Sequence, residues 1–535
     1  MATRHDDPVA GALVNDFYEF NMASSYLRRG MAATATFSLF VRSLPPTRGF
    51  LVTAGLEACL SYLERFCFGD DDLEYLGSLG FDRATLDAFA TLRFTGDVWA
   101  VPEGRIVFAG EPLLEVTAPI AEAQLAETVL CNTMTFHTTA ASKAARSRIA
   151  AAGTMELVDF GLRRTQGIEA GMVVARATAM VGFAATSNVE AAWQLGLTPA
   201  GTMAHSYVEA FPTETQAFRA FAEDLPEQAT FLVDTYDTLG GVREAVDVIR
   251  SLGLEHRAGI RLDSGDLSVL SKESRRILDE AGLPEVRIVV SGGLDEHRIA
   301  DLVAAGAPVD VAGIGTRLGV SADAPYLDTV YKLVAYDGRP VAKLSASKET
   351  LPGTKQVFRA PGLVDVIGMR EEAAPANTEP LLEMVMAGGH PIGPAAPLSE
   401  LRTRFESDLA ELPGAARALD SPVAPQVPIT PALSALTRRP RRGAAESPHR
   451  LGTDGRYRPG SRALVAWPLS PDNGTLARRR SRGQLQYVRH SHHSGDSSSD
   501  VRETVARMSP VPPSLATDVR RSMRTLMRCC TSSGR

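Results

Sequence analysis

The chain has 535 residues, 44% of them apolar and 22% charged, with a formal net charge of −7. That length predicts two to three domains, and the composition is that of a soluble globular protein with enough apolar side chains for a sizeable core. No run of about 18 consecutive apolar residues occurs, which excludes a membrane-spanning helix. The N-terminal MATRHDDPVAGALVNDFYEF is acidic early and lacks an apolar signal region, which argues against secretion. Five cysteines, at 59, 67, 131, 529 and 530, show no metal-type spacing. Cys59 and Cys67 lie in an apolar helical pattern and are expected as buried thiols, so a reducing, cytoplasmic location fits best.

Residues 1–130 mix helical and strand patterns and predict an α+β domain. ATATFSLFVRSLPPTRGFLVTAG holds two strand-like runs around a Pro-Pro-Thr-Arg-Gly turn. LEACLSYLERFCF has apolar residues at helical spacing. GDVWAVPEGRIVFAGEPLLEVTAP then reads as several short strands separated by turn residues.

Residues 131–325 change character. Seven apolar runs recur, each ending in polar or glycine residues: MELVDFG from 155, VGFAATSN from 181, TPAGTMAHS from 198, ATFLVDTYD from 229, AGIRLDSGD from 258, RIVVSGG from 287 and VDVAGIGT from 309. They are 17 to 31 residues apart, as in successive βα units. Apolar runs without strict alternation suit parallel strands buried on both faces. In an open sheet, ligands gather at one switch point; in a barrel, every strand delivers to one mouth. Here the polar residues stand at nearly every run's end: Asp159 and Arg163, Ser187, His205, Asp234 and Asp237, Asp263 and Asp266, Ser291, Thr316. Seven loaded ends favour an α/β fold with a β/α barrel. Residues 326–436 return to mixed patterning, with a helix expected in SELRTRFESDLAELPGAARAL.

Several of these ends carry chemistry. Gly313, Gly315 and Thr316 close one run before a helical pattern, and Ser291, Gly292 and Gly293 close the run before it. Glycines let backbone N–H groups approach phosphate, and the last two units of a barrel are where that fold usually binds it. Arg261, Asp263, Ser264 and Asp266 lie within six residues, with Arg261 and Asp263 sent to one side by strand alternation. They read either as a surface ion-pair turn or as a site for an anionic substrate with Mg²⁺. DFGLRRTQG supplies Phe160 as a stacking face and Arg163 and Arg164 as anion clamps, or else a solvated basic turn. His205, in GTMAHSYV, reads by itself as a capping histidine at a strand end. No GxxxxGK[ST] motif is present, so any use of ATP needs another phosphate cradle.

Taken together, LVNDFYEFNM, FSLFVRSLPPTRGFLVTAGLE, DFGLRRTQG, ATSNVEAA, GTMAHS, LVDTYDT, IRLDSGDL, VSGGLDE, GIGTRLG, YKLVA and KLSASKETLPGTKQVFR closely resemble the nicotinate phosphoribosyltransferases, from about Leu13 to about Leu436. FLVDTYDTLGG also suggests the loop of type I phosphoribosyltransferases. That loop uses adjacent acids, however, and Asp234 and Asp237 are three apart, so the type I fold is rejected. The resemblance implies a type II phosphoribosyltransferase: an irregular β/α barrel with an α+β N-terminal domain, residues 326–436 packing back on that domain, and a homodimer with sites at the subunit boundary. It implies that nicotinate, phosphoribosyl diphosphate and ATP give nicotinate mononucleotide, diphosphate, ADP and phosphate, the first step of NAD salvage from nicotinate. Such ATP-coupled enzymes are classed as carbon–nitrogen ligases.

Residue by residue, His205 matches the histidine that takes the phosphoryl group of ATP. Thr202 and Arg261 match nicotinate contacts, and Tyr18 matches a tyrosine reaching the pyridine ring from the neighbouring subunit. Phe160 and Arg163 match the stacking and clamp positions. Thr316 matches a phosphoribosyl diphosphate contact, with Asp263, Ser264, Ser291, Gly292, Gly313 and Gly315 around it, while Asp263 and Asp266 are the expected Mg²⁺ ligands. Imidazole is a competent nucleophile near neutral pH. Nicotinamide-using relatives carry an aspartate where Ser187 stands, and an acid there would repel a carboxylate substrate, so Ser187 favours nicotinate. The alternatives are a nicotinamide phosphoribosyltransferase or a catalytically silent phosphate-binding barrel.

The resemblance stops near Thr437. From Arg438 onward there are 20 arginines, no lysine and seven acids, a net +13, so the first 437 residues carry −20. This Arg/Ser/Pro/Gly-rich tail, 437–535, is expected to be disordered. Its arginines are not interleaved with aromatic residues in a binding pattern, so nucleic acid is not an expected partner. Its lysine-free composition is what GC-rich codons read out of frame would give.

Overall fold

In a computed structural model the described residues are 11–445 except 344, 346 and 347, with side chains described as far as 438. Residues 446–535 lie outside them, so the expectation for most of the tail and for Cys529 and Cys530 does too. At the tail's start, a helix runs Pro431–Ala445, across the boundary expected at 437.

The first sheet is antiparallel throughout. Its middle comes from the N-terminal part: Thr34–Val41, Pro112–Pro119 and Asp97–Ala100 in that order. Thr329–Tyr336 pairs along Thr34–Val41, and Glu383–Ala387 pairs along Asp97–Ala100, so the chain's later segment supplies strands on both sides. Phe37 stacks on Tyr331 with ring centroids 4.7 Å apart, and the buried Tyr331 hydroxyl donates to the Ala123 carbonyl at 2.8 Å. The apolar core beneath collects Phe20, Phe68 and Phe89 from the early part of the chain with Val357, Ile367 and Met386 from the later segment. The pattern in LEACLSYLERFCF forms the helix Leu56–Arg65, whose Cys59 is buried. Cys67 is exposed, contrary to expectation. The helix ends at Arg65, and in the non-helical Phe66-Cys67-Phe68 beyond it both rings are buried while the thiol is turned out.

A 25-residue helix, Glu127–Ala151, comes next and crosses position 130. It is rich in alanine and buried over most of its length, because helices Ile168–Met180 and Glu296–Ala304 pack on it. Its Lys143 and Arg146 bind the buried Glu296 carboxylate, Arg146 at 3.0 Å, and Lys143 also meets Asp323 at 2.8 Å. A buried charge survives only when paired in this way.

The barrel strands are β1 (Glu156–Asp159), β2 (Ala185–Thr186), β3 (Thr230–Leu232), β4 (Gly259–Leu262), β5 (Arg287–Val290) and β6 (Val311–Ile314). All pair in parallel, in the order β2-β1-β6-β5-β4-β3. Six of the seven expected runs therefore form strands. The run from 198 makes only a parallel bridge, Pro199 to Thr186. Proline cannot donate to a ladder, and Gly201 brings no side chain for a strand to pack. Among the described residues no ladder joins this segment to β3; the barrel is irregular there, with His205 Nδ1 3.2 Å from the Thr235 hydroxyl just past β3.

Candidate active site

The barrel strands deliver their C-terminal ends to one mouth. At β1, Phe160 lays its ring over Gly313, where any Cβ would collide with it. Gly313 is therefore a seat for the Phe160 ring, a packing role that its expected place in the phosphate cradle did not include. Leu162–Arg164 form a single 3₁₀ turn with Arg163 and Arg164 at its end. Ser187 comes directly after β2, half-buried, its N–H donating to the Asp159 carbonyl at 2.7 Å.

Arg261 on β4 reaches across to the irregular segment. Its guanidinium donates to the Thr202 hydroxyl and, at 3.1 Å, to the Met203 carbonyl. Asp263 stands 3.9 Å from its other end. Burial pulls the Arg261 pKa down while Asp263 and Asp234 push it up, and Arg163 is near enough to oppose its charge. Arginine keeps its charge through such shifts, so two guanidinium charges lie within electrostatic reach of each other.

His205 is the first residue of a short helix, His205–Glu209, and does not end a strand. Its Nδ1 lies 3.2 Å from the Thr235 hydroxyl. Motif reading passes over Thr235, although it stands at the end of the ATFLVDTYD run. Asp234 Oδ2 accepts from the Asp263 N–H at 2.9 Å and the Ser264 hydroxyl at 2.6 Å, leaving its buried Oδ1 without a partner among the described residues.

Just after β5, the buried Ser291 hydroxyl donates to Asp263 Oδ1. Gly292 and Gly293 have φ of +87° and +65°, and a Cβ on Gly292 would run into the Asp263 backbone, so glycine is required there. Asp295 caps the helix Glu296–Ala304 and pairs with Arg317, a second contact that motif reading misses. Gly315 packs against the Phe160 carbonyl, and the exposed Thr316 begins a helix of one turn, Thr316–Gly319. Asp266 Oδ1 accepts from the Ser268 and Val269 N–H groups, both at 3.1 Å, as a helix cap. Asp237 caps the helix Thr238–Leu252 in the same way. Tyr18 lies outside the barrel, in the helix Phe17–Arg28, 46% exposed and close to Glu127. Among the described residues, no three His, Cys, Asp or Glu side chains gather as a metal cage, and no helix is long and apolar enough to cross a membrane.

Residues 13–135 match the nicotinate phosphoribosyltransferase (NAPRTase) N-terminal domain, and residues 155–364 match the nicotinate phosphoribosyltransferase (NAPRTase) family. A nicotinate phosphoribosyltransferase of Mycobacterium tuberculosis is 47% identical over 418 residues, 77% of this chain and 89% of the relative. One of Bacillus subtilis is 44% identical over 358 residues, 65% of this chain and 73% of the relative. The crystal structure of human nicotinic acid phosphoribosyltransferase superposes with a TM-score of 0.71 at 31% identity, covering 79% of this chain and 99% of that one. Two domains matched in order, with a relative 47% identical over 77% of this chain, place it in the nicotinate phosphoribosyltransferase family.

Proposed function

We propose that this chain joins nicotinate to the ribose of phosphoribosyl diphosphate, serving NAD salvage from nicotinate, and couples the step to ATP through His205. The observation that carries the reading is the convergence of Arg261, Arg163, Phe160 and His205 on one mouth, beside the Ser291–Gly293 loop. Arginines hold a carboxylate in a fixed, forked geometry, so Arg163 and Arg261 orient nicotinate while Phe160 stacks on its ring. Thr202, bonded to Arg261, keeps that guanidinium aimed. Ser187 adds no charge against a carboxylate substrate. Ser264, Ser291, Gly292, Gly315 and Thr316 take the phosphates opposite. Holding the ring nitrogen in line with the ribose carbon converts a bimolecular encounter into a positioned displacement. Diphosphate then leaves as the new carbon–nitrogen bond forms.

His205 has its Nδ1 held by Thr235, which leaves Nε2 as the nucleophile toward the terminal phosphorus of ATP; ADP leaves and the phosphoryl stays on the ring. Hydrolysis of that phosphohistidine releases phosphate. Mg²⁺ fits the oxygen donors here, Asp263 and the unpartnered Asp234 Oδ1, with Asp266 limited by its capping role. When bound it would neutralise the departing diphosphate. A homodimer is supported by apolar side chains exposed just beyond the strand ends: Ile168, Val189, Trp193, Tyr236 and Tyr326. A second copy would cover them and bring its Tyr18 to this site.

Incubation with ATP labelled at its terminal phosphate tests the coupling. Acid-labile, base-stable label is expected on the protein and is expected to vanish in His205→Ala. Label retained in that variant sinks the assignment of His205. Nicotinate and nicotinamide turnover by purified protein tests the substrate, and faster use of nicotinamide would sink that assignment.

A further inference from the structure

Asp159 ends β1 fully buried. Among the described residues no lysine, arginine or histidine pairs with it, and burial raises its pKa against two opposing hydrogen bonds. Those bonds go to two different turns. Oδ1 accepts from the Gly161 N–H at 2.7 Å, and Oδ2 accepts from the Thr186 hydroxyl at 2.7 Å. The Thr186 oxygen in turn accepts from the Asn188 N–H at 3.1 Å. Asn188 then caps the helix Val189–Leu195.

Gly161 opens the turn that carries Arg163, directly after Phe160. Thr186 and Asn188 flank Ser187, whose own N–H is held by the Asp159 carbonyl at 2.7 Å. One residue thus fastens both walls of the nicotinate side from underneath. A buried carboxylate without a counter-ion is costly, and an apolar side chain would fill this strand end without that cost. The fit is tight as well: a Cβ on Gly161 would stand 2.9 Å from Asp159 Oδ1.

We propose that Asp159 is a positioning residue of the nicotinate pocket, its carboxylate setting the spacing between the Phe160–Arg163 clamp and the Ser187 turn. It acts through those residues, since both its oxygens are engaged within the protein. The inference rests on the reading of the pocket given above.

Thr186→Val is nearly isosteric and removes only the hydroxyl. The nicotinate KM is expected to rise roughly tenfold, within the range that misplacement by a fraction of an ångström produces. The phosphoribosyl diphosphate KM and kcat are expected to stay within about twofold, and Thr186→Ser is expected to restore the wild-type value. If Thr186→Val does not fold, Thr186→Ala serves, because it removes the same hydroxyl and adds no bulk. A wild-type nicotinate KM, or two KM values rising together, overturns the proposal. Arg163→Ala separates the two failures. If it raises the nicotinate KM and Thr186→Val does not, the positioning role fails and the pocket stands. If neither variant moves that KM, the pocket reading fails and takes the proposal with it.

Discussion

Gly313→Ala adds one methyl group under the Phe160 ring, and geometry sets its consequence. Gly313 is buried in β6, and its Cβ would stand 2.5 Å from Phe160 Cδ2 and 3.1 Å from Cζ. Carbon atoms settle near about 3.5 Å, so one partner has to yield by about 1 Å. β6 is held in register with β1, Gly313 opposite Val158; the ring has more freedom than the strand and is pushed into the pocket. Overpacking of this kind costs about 1–3 kcal/mol, which, read as substrate affinity, is about 5- to 150-fold. Steady-state kinetics should show that rise in the nicotinate KM, with the phosphoribosyl diphosphate KM little changed. The control is Phe160→Ala: without the ring there is no collision, so adding Gly313→Ala to that background should leave the KM where Phe160→Ala alone put it. Additive effects of the two substitutions would refute the clash as the cause, as would an unchanged nicotinate KM accompanied by a lower Tm.

Thr235→Val removes the partner of His205 Nδ1, and loss of one such bond should slow ATP-dependent labelling by about 2- to 10-fold; single-turnover labelling checks it, with the nicotinate KM expected unchanged. Lys143→Met strips one cation from the buried Glu296 carboxylate, a change expected to cost about 3–5 kcal/mol in denaturant unfolding, part of which Glu296→Gln should recover. Glu19 is pushed up to about 7, by burial first, then by Glu127 and Asp16, against the Thr128 hydroxyl. An acid with a raised folded pKa binds its proton more tightly when folded, so stability should fall as pH rises from the ordinary carboxylate range to about 7 and then level off. Glu19→Gln should raise Tm at pH 8 and not at pH 4, and equal shifts at both would refute it.

The strands of the barrel are legible in the sequence because apolar runs ending in polar residues are what parallel βα units require. The run from 198 misleads because its apolar letters outweigh a proline that cannot join a ladder; only a bridge at Pro199 remains. Cys67 misleads through period, since FCF continues a helical spacing where the helix has already ended. Asp266 and Gly313 show a different limit. Turn chemistry and site chemistry use the same residue types, so the letters alone do not show that Asp266 also caps a helix or that Gly313 also seats a ring. Thr235 escapes for a related reason: a hydroxyl matters only through the neighbour it meets, and His205 lies 30 residues earlier in the chain.

The first sheet adds a constraint on how the chain can be divided. Strands Thr34–Val41 and Asp97–Ala100 each pair on one side with strands from beyond residue 328. Cut at 130, the N-terminal part would keep three central strands with both flanks bare, and unpaired edges invite association. It would also lose Tyr331 from beneath Phe37 and Met386 from the shared core. The barrel is therefore an excursion between two halves of a single sheet. The helix Glu127–Ala151 carries the chain from that sheet into the barrel, and its Lys143 and Arg146 grip Glu296 just after the Ser291–Gly293 loop.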